Sequence, residues 1–218
     1  MGIFCRVRMH KYNSYKGDVG KIAPNLLERD FKADKPNQKW VTDVTEFALF
    51  GIKLYLSPII DLYNGEVVSY NLSRHPNLAQ TTDMLEKAFA KIPDNTNLIL
   101  HSDQGWQYQM NYYQQELQVR GIKQSMSRKG NCLDNSPMEN FFGIMKNEMF
   151  YGHEHDFNSL EELEQAMIEY IEYYNKNRIK KNLFTKEEMG FEIARYVGEN
   201  ELKEAEYEEL FGMLPVSI

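Results

Sequence analysis

Cysteine is scarce in this chain, which has only Cys5 and Cys132 among 218 residues. Two thiols cannot build a disulfide framework or a zinc site on their own, and they fit a reducing compartment. Long apolar runs are lacking too. None approaches the roughly 18–20 residues of a membrane helix, so no membrane partner is expected. The stretch from Met1 to Met9 has no apolar core of the signal-peptide kind. There is no internal repeat and no low-complexity segment. An excess of positive charge is missing as well, since the net charge is −7. Taken whole, that balance argues against a nucleic-acid partner.

The distribution of charge reverses this reading. From Glu187 onward nine glutamates face two bases, Arg195 and Lys203, so that stretch alone carries −7. Residues 1–186 hold 23 acids and 23 bases, and within them residues 1–35 have eight bases against four acids. Lys176, Arg178, Lys180, Lys181 and Lys186 follow one another with no acid between. Basic segments on a neutral body are compatible with nucleic acid, and equally with a solvated lysine-rich surface. Three regions result: a basic N-terminal arm over 1–35, a main domain over 36–186 and an acidic tail over 187–218. Apolar residues at 42 % suffice for one folded core.

The main domain opens with three strand candidates, Gln38–Phe47, Lys53–Leu62 and Glu66–Ser73. Pro58 is an objection to a central strand. Asn64-Gly65 is a hairpin signal that makes the second and third strands antiparallel neighbours. Leu78, Leu85, Ala88, Phe89 and Ile92 keep helical spacing. Asn97–Ser102 is a short buried strand, Tyr108–Arg120 a helix closed by Gly121, and Ile122–Met126 a fifth strand. Ser127-Arg128-Lys129-Gly130-Asn131 reads as a polar loop. Asn135–Tyr151 is a helix with Asp134 or Asn135 as its cap and Pro137 in its first turn. Leu160–Asn175 is another, opened by the capping box Ser159/Glu162. The order gives an α/β fold: a mixed five-stranded sheet, three strands antiparallel and then alternating helix and strand, flanked by helices.

Three acids stand out in this frame. Asp43 lies in the first strand, Asp103 just past the fourth, and Glu139 on the later helix, with 35 residues between Asp103 and Glu139. At 100° per residue, Glu139 and Lys146 lie within about 20° of each other on the helix, about two turns apart. Taken singly, each acid reads as a surface or capping residue. Brought together they would repel and favour protonation unless a cation compensates. Hard oxygen donors suit Mg²⁺ or Mn²⁺. Two such ions about 3.5–4 Å apart activate an attacking oxygen and stabilise a leaving one in phosphodiester displacement.

The residues that sharpen this reading are Trp40-Val41-Thr42-Asp43-Val44-Thr45, Asp61-Leu62-Tyr63, His101-Ser102-Asp103-Gln104-Gly105, Ser127 through Asn135, Glu139-Asn140-Phe141-Phe142, Tyr173-Tyr174-Asn175 and Arg178. Over roughly residues 10–183 the chain resembles the transposases of insertion-sequence family three, second reading-frame product, with a retroviral-integrase-like core. The resemblance implies a ribonuclease-H-like fold, with Asp43, Asp103 and Glu139 as a catalytic and metal-binding triad for two Mg²⁺ or Mn²⁺ ions. It implies DNA cleavage by water and strand transfer by a 3′-hydroxyl, acting on element ends and target DNA. Lys146, seven residues after Glu139, matches a family basic position near the DNA end. Arg128 and Lys129 are the next candidates for phosphate contact. Asn135 and Arg178, both in matched motifs, complete the expected DNA-binding set. A homo-oligomer, or a hetero-oligomer with a full-length relative, is the expected assembly, in the bacterial cytoplasm at the nucleoid.

Other groups carry plainer readings. Asp61 and Glu46 have structural or supporting roles. His101 is a buried, hydrogen-bonded histidine. His153-Glu154-His155-Asp156 is a solvated turn whose spacing matches no zinc motif. Trp106, Tyr108, Tyr112 and Tyr113 suit base stacking or core packing equally. Full-length relatives carry a helix-turn-helix-like region upstream, of which residues 1–35 resemble the end. They also finish with a Gly-x-Ser-Pro-x-Glu-Tyr type sequence that this chain replaces. Two further functions therefore stand beside the first: a truncated remnant that binds DNA or full-length transposase and inhibits it, and a ribonuclease-H-type nuclease.

Overall fold

The computed structural model describes residues 20–93 and 96–178. The expectations for the first 19 residues, for Lys180, Lys181 and Lys186 and for the acidic tail lie outside them. Among the described residues are six strands: β1 (Lys39–Thr42), β2 (Thr45–Leu49), β3 (Ile52–Asp61), β4 (Val67–Ser73), β5 (Ile99–Ser102) and β6 (Lys123–Met126). The helices are α1 (Leu78–Phe89), α2 (Asn111–Val119), α3 (Ser136–Met149) and α4 (Leu160–Lys176).

Strand β3 organises the sheet. On one side it pairs antiparallel with β4, and on the other with β2 along its first half and β1 along its second. β5 joins β1 in parallel and β6 joins β5 in parallel. Five strands are expected from the sequence and six are found, because the first breaks between Thr42 and Thr45. Pro58 accounts for the break. Thr42 pairs with Ile59 and Thr45 with Leu56, so Ser57 and Pro58 face the gap. The Pro58 carbonyl accepts from Thr42 Oγ1 at 2.8 Å, so the side of β3 on which proline lacks its N–H is the side where β1 ends. The objection to Pro58 in a central strand is met by a hole in the neighbouring strand, and Asp43 and Val44 occupy it.

Alternation along the strands builds two cores. Val41, Ile60 and Val67 face α3 and α4, meeting Met138, Phe141, Met145, Leu163, Met167 and Tyr170. Their chain neighbours Trp40, Ile59 and Val68 face the other way, onto Met84, Leu85 and Phe89 of α1 and Tyr113 and Leu117 of α2. Helices on both faces of a mixed sheet follow from this two-sided apolar pattern. Residues 20–31 run beside the outer strand β6: Met126 N–H donates to the Pro24 carbonyl at 3.2 Å and Leu26 N–H to Ser125 Oγ at 2.8 Å. The described part of the basic arm is thus docked, with a turn at residues 26–29.

Helix α4 starts as its sequence indicates, with Ser159 Oγ accepting from Glu162 N–H. Glu162 answers to Asn158 N–H rather than to the cap residue. Helix α3 differs: Asn135 holds the cap position without a side-chain bond to the helix, and Asp134 is turned elsewhere. The segment expected as one helix over Tyr108–Arg120 is a 3₁₀ turn at Trp106–Gln109 followed by α2. Tyr108 and Tyr113 are core residues in edge-to-face contact, while Tyr112 is half-exposed.

Candidate active site

The β1–β5 register sets the two aspartates level. Val41 is opposite His101 in this parallel pair. Two residues further on, just past both strand ends, come Asp43 and Asp103. Asp43 Oδ1 accepts from its neighbour Val44 N–H at 2.7 Å, and Asp103 Oδ1 from Gly105 N–H at 2.8 Å. A Cβ at Gly105 would lie 2.9 Å from Asp103 Oδ1 and 2.7 Å from Gln107 Nε2, so a side chain there would have to displace those two side-chain ends. Asn135 Nδ2 approaches Asp43 Oδ2 at 3.4 Å and the Thr42 carbonyl at 3.5 Å, while its own Oδ1 is buried without a partner. Glu139 lies one turn along α3 and is exposed.

The electrostatics tie these groups together. Asp43 keeps part of its surface open, yet the surrounding protein excludes enough water to push its carboxyl up to about 8, with the charge of Asp103 adding to burial and that of Glu139 contributing further. Asp103 is also raised, mainly by burial. The Tyr108 and Tyr113 hydroxyls are buried, and burial raises both phenols, with Asp43 and Asp103 adding to it at Tyr108 and Asp103 at Tyr113. Among the described residues, no cationic side chain offsets the two aspartates.

Among the described residues, no three His, Cys, Asp or Glu side chains stand close enough together to hold a metal ion. Asp43 and Asp103 each turn one oxygen back onto their own loop, and Glu139 points into solvent. The donor set nevertheless fits a hard divalent cation: all three ligand candidates are carboxylates, and the two aspartates share an uncompensated, poorly hydrated position.

The basic candidates divide into two kinds. Lys146 Nζ lies 5.1 Å from the centre of the Phe47 ring, half-buried, and its pKa is lowered by that burial. Lys129 is exposed on the loop before α3. Arg128 and Arg178 already have intramolecular partners: Arg128 grips Asp134 through Nε and Nη2, each at 2.7 Å, and Arg178 Nη2 meets Glu148 Oε1 at 2.8 Å. Glu148 also accepts from Tyr170 OH. Asn175 bonds both the N–H and the carbonyl of Val67, at 2.9 and 3.0 Å. The Tyr173-Tyr174-Asn175 motif with Arg178 therefore fastens α4 to β4 and α3. Sequence reasoning missed Asp134, Glu148 and Asn175 as anchors, since each acts on a residue far along the chain.

The plainer readings hold. His101 is buried, with Nδ1 2.7 Å from Ser125 Oγ and Nε2 2.9 Å from the Asp134 carbonyl. Asp61 is buried and accepts from Asn37 and Tyr63 N–H groups. Glu46 pairs with Lys53 at the surface. His153 pairs with Asp156 in an exposed turn.

Comparison with known proteins agrees with this architecture. The integrase core domain family matches residues 33–132, and a second integrase core domain family matches 139–193. The chain is 57% identical over 177 residues to the putative transposase InsK for insertion sequence element IS150 of Escherichia coli, covering 81% of this chain and 62% of InsK. It is 54% identical over 183 residues to an uncharacterized transposase-like protein of Haemophilus influenzae, covering 84% of this chain and 83% of that protein. The HTLV-2 integrase catalytic core domain, solved in complex with magnesium, superposes with a TM-score of 0.56 at 20% identity, covering 72% of this chain and 99% of that one. That last likeness establishes the ribonuclease-H-like fold.

Proposed function

We infer the function from the family: this chain belongs to the insertion-sequence transposases of family three, with an integrase-like core. We propose that it is a polynucleotidyl transferase core, cleaving a DNA phosphodiester with water and joining the freed 3′-hydroxyl to target DNA. The observation that carries this reading is the pair Asp43 and Asp103, level at the ends of adjacent parallel strands, with the charge of Glu139 bearing on Asp43. Asp43, Asp103 and Glu139 would hold two divalent ions, Mg²⁺ or Mn²⁺. Such ions, when bound, supply activation of the attacking oxygen and charge stabilisation of the leaving one.

The chain's own residues do the rest. Among the described residues, neither Asp43 nor Asp103 has a cationic partner to compete for its second oxygen. Asn135 steadies Asp43, and Glu139 stands on a helix that can bring a third carboxylate over the pair. Lys146, its ammonium 5.1 Å from the centre of the Phe47 ring, stands on the same helix side as Glu139, suited to a DNA phosphate. Lys129 is the second phosphate contact. Arg128 and Arg178 would reach DNA only by sharing or leaving Asp134 and Glu148, so their first role is internal. DNA and a multimer of this chain are the partners this chemistry asks for.

The test is cleavage and strand transfer on element-end duplex DNA with Mn²⁺ or Mg²⁺, with an RNA–DNA hybrid as the competing substrate. Activity on element ends that disappears in Asp103→Asn with an unchanged melting profile supports the assignment; unchanged activity in that variant sinks it. Preference for the hybrid would make the chain a nuclease of the same fold. Lys146→Ala should weaken duplex binding and lower the salt slope by about 1.

A further inference from the structure

Asp134 stands immediately before helix α3, has no exposed surface and caps nothing. Its Oδ1 accepts from Arg29 Nε at 2.8 Å and Arg128 Nη2 at 2.7 Å. Its Oδ2 accepts from Arg128 Nε at 2.7 Å, Arg128 N–H at 3.0 Å and Asn25 Nδ2 at 3.2 Å. The Asp134 carbonyl takes a separate bond from His101 Nε2. A carbonyl only accepts, so Nε2 carries the proton and Nδ1 is left to accept from Ser125 Oγ–H. Ser125 Oγ in turn accepts from Leu26 N–H. Asn25, Leu26 and Arg29 thus converge on Asp134 by two independent routes, one through its carboxylate and one through its carbonyl.

The backbone that presents Arg29 is itself unusual. Glu28 and Arg29 are adjacent non-glycine residues with φ of +46° and +69°. L-residues adopt this region at a cost, and they stay there only where their surroundings over-determine it. Asn25 Oδ1 accepts from Glu28 N–H, and the Leu27 carbonyl from Asp30 N–H. The turn so fixed lets Arg29 span Asp134 and, through Nη2, Asn131 Oδ1 at 3.1 Å. A lysine ammonium lacks the fork to bridge both.

We propose that Arg29 is a positioning residue for the transferase site. Through Asp134 it fixes the first turn of α3, and with it Asn135 beside Asp43 and Glu139 one turn on. The stretch upstream of the sheet is then a working part of the site rather than a tether. The catalytic consequence rests on the reading of Glu139 as a metal ligand; the effect on the helix start does not.

The test compares the full chain with Arg29→Ala, Arg29→Lys and Lys39→Ala. Lys39 anchors the same segment through the Asp30 carbonyl and carboxylate, both at 2.8 Å, without touching Asp134. Amide hydrogen exchange without metal should quicken at least about tenfold over residues 134–140 in Arg29→Ala, the loss of one charge-assisted bond. Arg29→Lys should recover part of the protection, and Lys39→Ala should leave those amides unchanged. Unchanged exchange in Arg29→Ala, or equal loss there in Lys39→Ala, overturns the proposal. A Mn²⁺ titration followed by melting temperature forms the second arm, with the half-saturating concentration raised about tenfold in Arg29→Ala alone. A parent chain whose melting ignores Mn²⁺ would overturn the metal reading, and the exchange result would still decide the role of Arg29.

Discussion

Asp134 and Asp43 flank Asn135, one by a peptide bond and the other by a hydrogen bond, and the protein treats them in opposite ways. Asp134 is enclosed and receives Arg128, then Arg29 and Asn25, so its carboxyl is held well below the usual carboxylate range, Arg128 contributing most. Asp43 has Asp103 for a neighbour and, among the described residues, no cation; its carboxyl is pushed up to about 8, chiefly by burial. A structural carboxylate is completed by its own chain. The carboxylate proposed to bind a cation is left incomplete. The contrast supports giving the two different roles, without appeal to motif.

Breaking the comparison at its catalytic end should give the largest effect. Asp43→Asn should cost at least about 10³-fold in strand transfer, the several kcal/mol expected when charge stabilisation by a metal site is lost. The same change removes like-charge repulsion, so the metal-free melting temperature should equal or exceed the parent's. A large fall in both would make Asp43 a structural group. Breaking the other end reverses the pattern. Asp134→Asn should destabilise by about 2 kcal/mol in urea melts, a figure kept low because both guanidinium groups are partly in water.

Titration sharpens the comparison next. Asp43 has a folded-state pKa of about 8 against an ordinary 3.8. The folded chain therefore binds more protons than the unfolded one between those values, and metal-free stability declines as pH rises through that interval. Asp134 has the opposite sign: its contribution is complete above 3.8 and fades only as pH falls below it. The melting temperature of the metal-free chain should therefore fall between mildly acid and mildly alkaline pH. Asp103→Asn should flatten the slope, since it takes away the neighbouring charge. The smallest effect belongs far from both aspartates: Asn175→Ala, which frees the Val67 backbone pair, should cost about 1 kcal/mol in the same melts and leave strand transfer intact.

Local chemistry was legible in the sequence, and so was most of the fold. Periodicity placed α1, α3 and α4 to within a few residues, and Asn64-Gly65 announced the β3–β4 hairpin, although its connection is longer than a two-residue turn. The tight turn is Phe50-Gly51, with φ of +53° and +77°, where a bulky aromatic takes a conformation usually left to asparagine or glycine. The break in the first strand was hidden because its cause, Pro58, lies on a different strand. The three acids were singled out by type and context, but their environments come from tertiary packing. The sequence shows the charges of Arg128 and Arg178 and conceals their intramolecular partners; Asp134 is six residues from Arg128, and Glu148 is thirty from Arg178. Of the two caps the sequence offers for α3, Asn135 takes the position and Asp134 is drawn to Arg29, 105 residues away.

The segment beside β6 bears on how the domain can be handled in isolation. A fragment cut at the apparent domain boundary near Lys35 would lose Pro24, Leu26 and the bonds they make to Met126 and Ser125. The edge strand would then present free backbone groups to any other chain, the circumstance that favours strand-to-strand aggregation. Expression of a soluble, well-behaved catalytic fragment thus calls for a start at or before Gly20, whose close approach to the Gln109 carbonyl leaves no room for a side chain.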